Sequence, residues 1–502
     1  MREQSASRAG SGRGLGKEKK VSNSNDLFEL DKLHEECGVF GIYSHKEDVP
    51  LNIYWGLYAL QHRGQESCGI AVSDGSEMQI KLGMGLVQDV FKDGTGDMMG
   101  FMGIGHTRYS TTGSSMAYNI QPLKVYYDGG NLAMSHNGNI ANAAELRARL
   151  MNMGSFFKTT VDSEVVLSLI ARSTQTTLED RVADAANQLK GAFSFLFMDD
   201  HKMLALRDPY GFRPLCLGKM EHGWVVASES CALDLVGAQF VRDVKPGEML
   251  VIDDDDKEPV SIMYAKDKPK HYAHCIFEYV YFARTDSVID GQNVYEARVN
   301  MGRELAKETK DIHADIVISV PDSGTAASIG YSLESGIPFM EGLTKNRYIG
   351  RTFIQPTQKQ RVNAVRLKLN PVKSVVEGKS VVMVDDSIVR GTTSGKIVKM
   401  LRDAGAKEVH VCISSPAVTD PCYYGIDTSV RKELIASTHS EAEICEYIGA
   451  DSLHYISMEG MKRAVSHVAG ENLCCACFNA EYPDNAEQII RQGSKYIFEH
   501  KK

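Results

Sequence analysis

The stretch VVMVDDSIVRGTTSGK, Val381–Lys396, decides how the chain folds. Val381–Val384 are four consecutive apolar residues, the pattern of a strand covered on both faces. The strand releases Asp385 and Asp386 at its carboxyl end, followed by Ser387, Ile388, Val389, Arg390, Gly391, Thr392, Thr393 and Ser394, and then by a helical pattern. In an open α/β sheet this is where ligands bind. The 390–394 loop offers backbone N–H groups, small hydroxyls and a helix N-terminus, which together cradle phosphate. The two carboxylates suit ribose hydroxyls or a hydrated Mg²⁺. The loop is not a Walker A motif, because three residues separate Gly391 from Gly395-Lys396 where that motif needs four.

Outward from this stretch, ADIVISVPDSGTAASIGYSLE and EVHVCISSP repeat the strand–helix rhythm, so the region after about residue 270 reads as an α/β domain with a parallel sheet. From Glu36 to about Ile262 the rhythm differs. Short β segments (CGVFGIY, QIKLGMG, NLAMSHNG, AFSFLFM, MLALRDP, GWVVASE) alternate with Gly-rich turns and with helical stretches such as NAAELRARLMN and EVVLSLIARS. That is a layered α+β pattern. The acidic run Asp253–Lys257 lies between two strand-like segments and reads as a solvated hairpin turn without EF-hand spacing. Residues 1–26 have scarcely an apolar side chain and read as disordered. Their basic, Ser-containing character approaches that of a transit peptide but lacks an amphipathic face. No internal repeat is visible.

At 502 residues the chain has room for two to four domains of roughly 150 residues. Its 43% apolar and 24% charged residues are those of an ordinary soluble protein. With 56 Lys and Arg against 65 Asp and Glu, the net charge of −9 argues against a dedicated nucleic-acid binder. No apolar run approaches the ~18 residues of a membrane span. Eleven cysteines are too sparse for a disulfide scaffold, and no secretory signal is visible, so a reducing, cytoplasmic compartment is expected.

The Val381–Lys396 stretch resembles the phosphoribosylpyrophosphate (PRPP) motif of type I phosphoribosyltransferases. The turn Val320-Pro321-Asp322-Ser323-Gly324-Thr325 also follows a strand and opens a helix. The resemblance implies that this turn binds pyrophosphate, and that Ser323, Asp385 and Asp386 hold one Mg²⁺ per subunit. The basic stretch Lys345–Asn370 is then a lid that excludes water, with Lys345 and Arg351 on phosphate.

Cys37 alone would be a buried strand cysteine. Three further segments change that weighting: GIGHTRYSTTG with Arg108, SHNGNI with Asn137 and Gly138, and TTVDSEV with Asp162. Together they resemble the class II (N-terminal nucleophile, Ntn) glutamine amidotransferases, whose fold is a layered αββα hydrolase. The resemblance implies cleavage before Cys37, which frees an α-amine of pKa ~8 as the base for its own thiol. It places Arg108 on the glutamine α-carboxylate, Asp162 on the α-amine, and Asn137 with the Gly138 N–H at the oxyanion. Residues 1–36 are then a propeptide, long for this family. A true propeptide, an early start and a targeting segment all stay open.

Cys275, Cys422, Cys474 and Cys477 stand in HCIFEYVYFAR, DPCYYGIDTS and LCCACF. Four thiolates suit either a [4Fe–4S] cluster or a Cys₄ zinc site, and adjacent Cys475 leaves one ligand ambiguous. Nearby His271 and His274 read as ordinary surface histidines. Cys68, Cys216, Cys231, Cys412 and Cys445 read as core or surface thiols.

The two motif sets in this order resemble the glutamine PRPP amidotransferase family, iron–sulfur subgroup, with one [4Fe–4S] cluster per subunit. The resemblance implies formation of 5-phosphoribosylamine in purine synthesis, feedback inhibition by purine nucleotides and a homotetramer. It divides the chain into an extension 1–36, a glutaminase domain 37–265, a phosphoribosyltransferase domain 266–470 and a tail 471–502 with cluster ligands. Another class II amidotransferase would lack the 381–396 loop. A PRPP-sensing DNA-binding regulator would need a basic helix-turn-helix, and none precedes Cys37.

Overall fold

The computed structural model describes residues 37–109, 114–267, 269–346, 369–428, 431–465 and 472–484. The extension 1–36, Arg351 and most of the basic 345–370 stretch lie outside these residues.

Two antiparallel sheets build the N-terminal half. One has seven strands in the order Gln239–Asp243, Cys216–Lys219, Trp224–Ala227, Gly38–Tyr43, Met102–Arg108, Ser67–Ser73 and Met78–Met84. The other has six, in the order Val260–Met263, Glu248–Ile252, Met203–Arg207, Gly191–Met198, Gly130–Ile140 and Leu123–Tyr127. Period-two side-chain alternation sends Val39, Ile104 and Val226 of the first sheet against Ala133, Leu196 and Leu250 of the second, forming a shared apolar layer. The outer face of the first sheet is covered by helix Val49–Ala59 through Ile53 and Leu57. Helices Ala143–Asn152 and Glu164–Arg172 cover the other through Leu146, Val165 and Leu169. The result is helix, sheet, sheet, helix. Strands such as Gly191–Met198, buried at every residue, read as unbroken apolar runs because both their faces are covered. The acidic run at 253–257 connects the antiparallel strands Glu248–Ile252 and Val260–Met263, as its composition suggests.

The C-terminal half holds a parallel sheet of Ile316–Ser319, Ser380–Asp385, Glu408–Ile413 and Ser452–Tyr455. Alternate residues again face opposite sides. Val317, Val382 and Val384 pack with helices Val294–Glu308 and Thr325–Ser335. Ile318, Val381 and Met383 pack with helices Thr392–Asp403 and Glu441–Ile448. Parallel pairing aligns the strand ends, so the loops after Ser319 and Asp385 emerge side by side. Among the described residues no helix is long and apolar enough to cross a membrane.

One expectation fails. His271 is exposed, but His274 is only 8% exposed, with Nδ1 at 2.7 Å from Asp290 Oδ2. A two-residue parallel bridge of His274–Cys275 with Leu473–Cys474 carries it inward, where Asp290 and Arg207 await it. A buried carboxylate between an arginine and a histidine satisfies burial in a way that local sequence does not signal.

Candidate active sites

The first site forms where the two N-terminal sheets face each other. Cys37 begins the central strand Gly38–Tyr43 at φ +108°, is 7% exposed, and donates its N–H to Arg63 O at 3.4 Å. Its Sγ lies 3.7 Å from Tyr109 O. Antiparallel pairing sets Gly38 opposite Thr107, which puts neighbouring Arg108 at the same sheet end. Arg108 is buried, with Nη1 donating to Ser114 O at 3.3 Å and lying 3.9 Å from Glu66.

The facing strand Gly130–Ile140 supplies Asn137 and Gly138. The two sheets are tied here by His106 Nε2, 2.9 Å from His136 O. Asn137 is fully buried, yet neither atom of its amide has a hydrogen-bond partner. Burying an unpartnered amide costs about 1–3 kcal/mol, so its retention points to a ligand that completes it. Gly138 stands at φ +139°, and a Cβ there would meet Ala192 O at 2.1 Å. Only glycine fits. Asp162 precedes helix Glu164–Arg172 and accepts the Ile140 N–H at 2.8 Å. Burial pushes its carboxyl up to about 6, against the pull of N–H donors and of Arg108. Arg108 and Asp162 are therefore electrostatic neighbours of opposite charge, as a bound amino acid would need.

The second site spans the parallel strand ends. Asp385 and Asp386 are each 1% exposed. Asp386 N–H donates to Asp385 Oδ1 at 2.9 Å, and Ser387 Oγ donates to Asp386 Oδ1 at 2.6 Å. Gly391 at φ +76° turns the loop into helix Thr392–Asp403, so Thr392, Thr393 and Ser394 occupy its first turn. Arg390 pairs with Glu433. The neighbouring turn approaches closely: a Cβ on Gly324 would meet Val384 O at 2.6 Å. Thr325 opens its helix, and Lys345 Nζ donates to Asp322 Oδ2 at 2.7 Å, which ties the start of the basic stretch to the 322–325 turn. Ser323 belongs to the same turn.

The cysteines form a third grouping. Cys275 is paired in register with Cys474. Cys477 O accepts the N–H groups of Thr419 and Asp420 at 3.1 Å, and the Cys422 sulfur accepts from Tyr424 N–H at 3.3 Å. Burial raises the Cys474 and Cys477 thiols well above their ordinary value, with further upward pushes from Cys275 and Cys422. Cys475 is pushed up to about 11 by burial, with Lys462 and Glu481 nearby, and it adds to the upward push on Cys474 and Cys477. No group of three or more His, Cys, Asp or Glu among the described residues is arranged to hold a metal ion.

Several residues at these sites carry no sequence signal. Arg63 pairs with Glu229 and, at 2.6 Å, with Glu278, while Arg213 reaches Glu278 at 3.4 Å. Arg298, 5% exposed, donates to Tyr279 O and Ala283 O at 2.8 Å and feels the charge of Asp386. The pairs are too distant in sequence to be read as motifs.

Burial pushes the Asp162 carboxyl up to about 6, and the expected role of partner to a glutamine α-ammonium requires it ionised. KM for glutamine, followed by glutamate release, should therefore rise as pH falls through about 6. Asp162→Asn should flatten that dependence and raise KM at pH 7.5 by about 10- to 100-fold, the worth of a charged hydrogen bond. An unchanged KM in this variant would contradict the placement.

Residues 106–235 match a family described as glutamine amidotransferase domain, and residues 292–427 one described as phosphoribosyl transferase domain. The amidophosphoribosyltransferase of Bacillus subtilis is 49% identical over 467 residues, which cover 92% of this chain and 97% of the relative. That of Methanocaldococcus jannaschii is 49% identical over 476 residues, covering 90% and 99%. A solved structure of the B. subtilis glutamine PRPP amidotransferase, complexed with ADP and GMP, superimposes with a TM-score of 0.86 at 47% identity, covering 92% of this chain and all of that one. The likeness extends through both halves, and the chain belongs to the amidophosphoribosyltransferase family.

Proposed function

We propose that the chain couples two reactions, with the sum glutamine + PRPP + H₂O → 5-phosphoribosylamine + glutamate + pyrophosphate, the committed step of purine synthesis. The observation that carries the first half is the buried, unpartnered Asn137 amide beside a Gly138 that admits no side chain. Cleavage after residue 36 frees the Cys37 amine. That amine takes the thiol proton, and the thiolate attacks the glutamine amide carbonyl. Asn137 and the Gly138 N–H donate to the resulting oxyanion, each such donor being worth about 10²–10³ in rate. The amine returns its proton to the departing ammonia, and water then hydrolyses the thioester to glutamate. Arg108 and Asp162 hold the two charged ends of the amino acid.

Ammonia released to bulk water at neutral pH would be protonated and lose its nucleophilicity, so it passes internally to the second site. There its lone pair attacks C1 of the PRPP ribose, and the C1–O bond to pyrophosphate breaks. Asp385 and Asp386 bind ribose. The 390–394 loop cradles the 5-phosphate, with the N–H groups of its helix pointing at the anion. The 322–325 turn, Lys345 and Arg351 bind pyrophosphate. The oxygen donors Ser323, Asp385 and Asp386 fit a hard divalent cation. Mg²⁺ bound there supplies positive charge to the leaving pyrophosphate.

The four mutually neighbouring thiols suit a [4Fe–4S] cluster, which Cys275, Cys422, Cys474 and Cys477 would hold as thiolates. Cys474 is taken as the fourth ligand for its register with Cys275 and its C-x-x-C spacing with Cys477, while Cys475 also lies near these thiols. The cluster's role is structural, since the reaction transfers no electrons, and its oxygen lability offers control of turnover. The domain division 1–36, 37–265, 266–470 and 471–502, a cytoplasmic homotetramer and inhibition by purine nucleotides complete the reading. The relative's complex with ADP and GMP supports the last of these.

Two experiments test this reading. Cys37→Ala should lose glutamine-driven pyrophosphate release and keep ammonia-driven release, while Asp386→Asn should lose both; glutamine-driven turnover in Cys37→Ala would refute the nucleophile. Anaerobically purified protein should contain iron and acid-labile sulfide in equal amounts, about four of each per chain. One zinc without sulfide would replace the cluster by the alternative.

A further inference from the structure

We propose that Asn139 is a positioning residue for glutamine hydrolysis, through which the cysteine-bearing segments hold the strand that presents Asn137 and Gly138. The inference rests on the oxyanion reading above. Asn139 directly follows Gly138, and its Nδ2 donates at 2.9 Å to Tyr423 O, the residue after Cys422 and 284 positions along the chain. Tyr424 continues the grip. Its carbonyl accepts from Arg213 Nε at 3.1 Å and Nη2 at 3.0 Å, and its ring stacks on Phe212 with centroids 4.0 Å apart. Its hydroxyl donates to Asp484 Oδ1 at 2.5 Å.

Asp484 closes the circuit. Its other oxygen accepts the Gly191 N–H at 3.1 Å, and Gly191 is paired across the sheet with Ile140. Arg213 O in turn accepts from Ser194 Oγ at 3.3 Å, and Ser194 is the cross-strand partner of Asn137. Residues 137–140 and their partners are thus held from the Cys422 loop and from the tail beyond Cys477. Ala141 and Ala192 of the two strands share an apolar cluster with Tyr424 and Cys474, next to Cys422. Whatever fixes those cysteines also fixes the oxyanion strand.

Such donors are sensitive to small shifts: a displacement of about 1 Å costs about 10²-fold in rate. Losing one anchor of several should give a smaller effect, confined to the step the strand serves. A role only in joining the two halves would instead affect both reactions together.

The test uses the full, matured, anaerobically prepared protein. Asn139→Ala should lower kcat for glutamine hydrolysis about tenfold. KM for glutamine should stay unchanged, because Arg108 and Asp162 are untouched, and so should ammonia-driven pyrophosphate release. Tyr424→Phe, which removes the Asp484 contact without altering the glutaminase strands, should act in the same direction, and amide exchange at residues 138–140 should quicken in both variants. Asn137→Ala serves as reference. If Asn137→Ala loses 10²-fold or more in kcat and Asn139→Ala loses nothing, positioning by Asn139 is wrong while the oxyanion reading stands. A parallel fall of ammonia-driven turnover in Asn139→Ala would equally overturn it. Wild-type kcat in Asn137→Ala would sink the oxyanion reading and this inference together.

Discussion

Four charged side chains buried between the two halves set the geometry on which both sites depend. Arg63 and Arg213 come from the N-terminal half with Glu229, and Glu278 comes from the turn that follows Cys275. Burying two guanidinium and two carboxylate groups is tolerable only when every member keeps its partners. Removing one member of a buried pair costs about 3–5 kcal/mol, because the other is left uncompensated. Arg63 holds Glu229 well below the usual carboxylate range despite complete burial. The backbone carbonyl of Arg63 receives the Cys37 N–H, and the Glu278 turn is held by Arg298, which senses Asp386. Cys37 and the Asp386 carboxylate are thereby referred to one junction.

This junction separates the two reactions and also joins them. The glutaminase half needs a dry site whose donors are already placed when charge develops on the amide oxygen. The burial of Arg108, Asn137 and Asp162 provides that environment. The transferase half must instead admit a large anion, and its candidate 390–394 loop lies at aligned strand ends beside the 322–325 turn. His106 and His136, pushed down to about 3 by burial, stay neutral and tie the two glutaminase sheets together without adding charge beside the thiol.

How much of this was legible in the sequence follows from the range of each interaction. The strand–acid–cradle order at 381–396 is local, so an apolar run, two acids and a Gly-bearing loop are enough to expect the strand, loop and helix that the structure shows there. Strands covered on both faces, such as Gly191–Met198, announced themselves by composition. The buried charges did not, because Arg63 and Glu278 lie 215 residues apart and each alone resembles a surface residue. His274 was misread for the same reason, its partners Arg207 and Asp290 being supplied by distant segments. Asn139 looked like one more polar residue in SHNGNI until its contact with Tyr423 was seen.

The central claim is that one chain runs two coupled reactions. Its most direct test is glutamate and pyrophosphate release from glutamine by anaerobically purified, matured protein, with and without PRPP and Mg²⁺. The account predicts slow glutamate release without PRPP, strong stimulation by it, and equal amounts of glutamate and pyrophosphate. Glutamate release indifferent to PRPP, or none at all despite a free Cys37 amine, would contradict it.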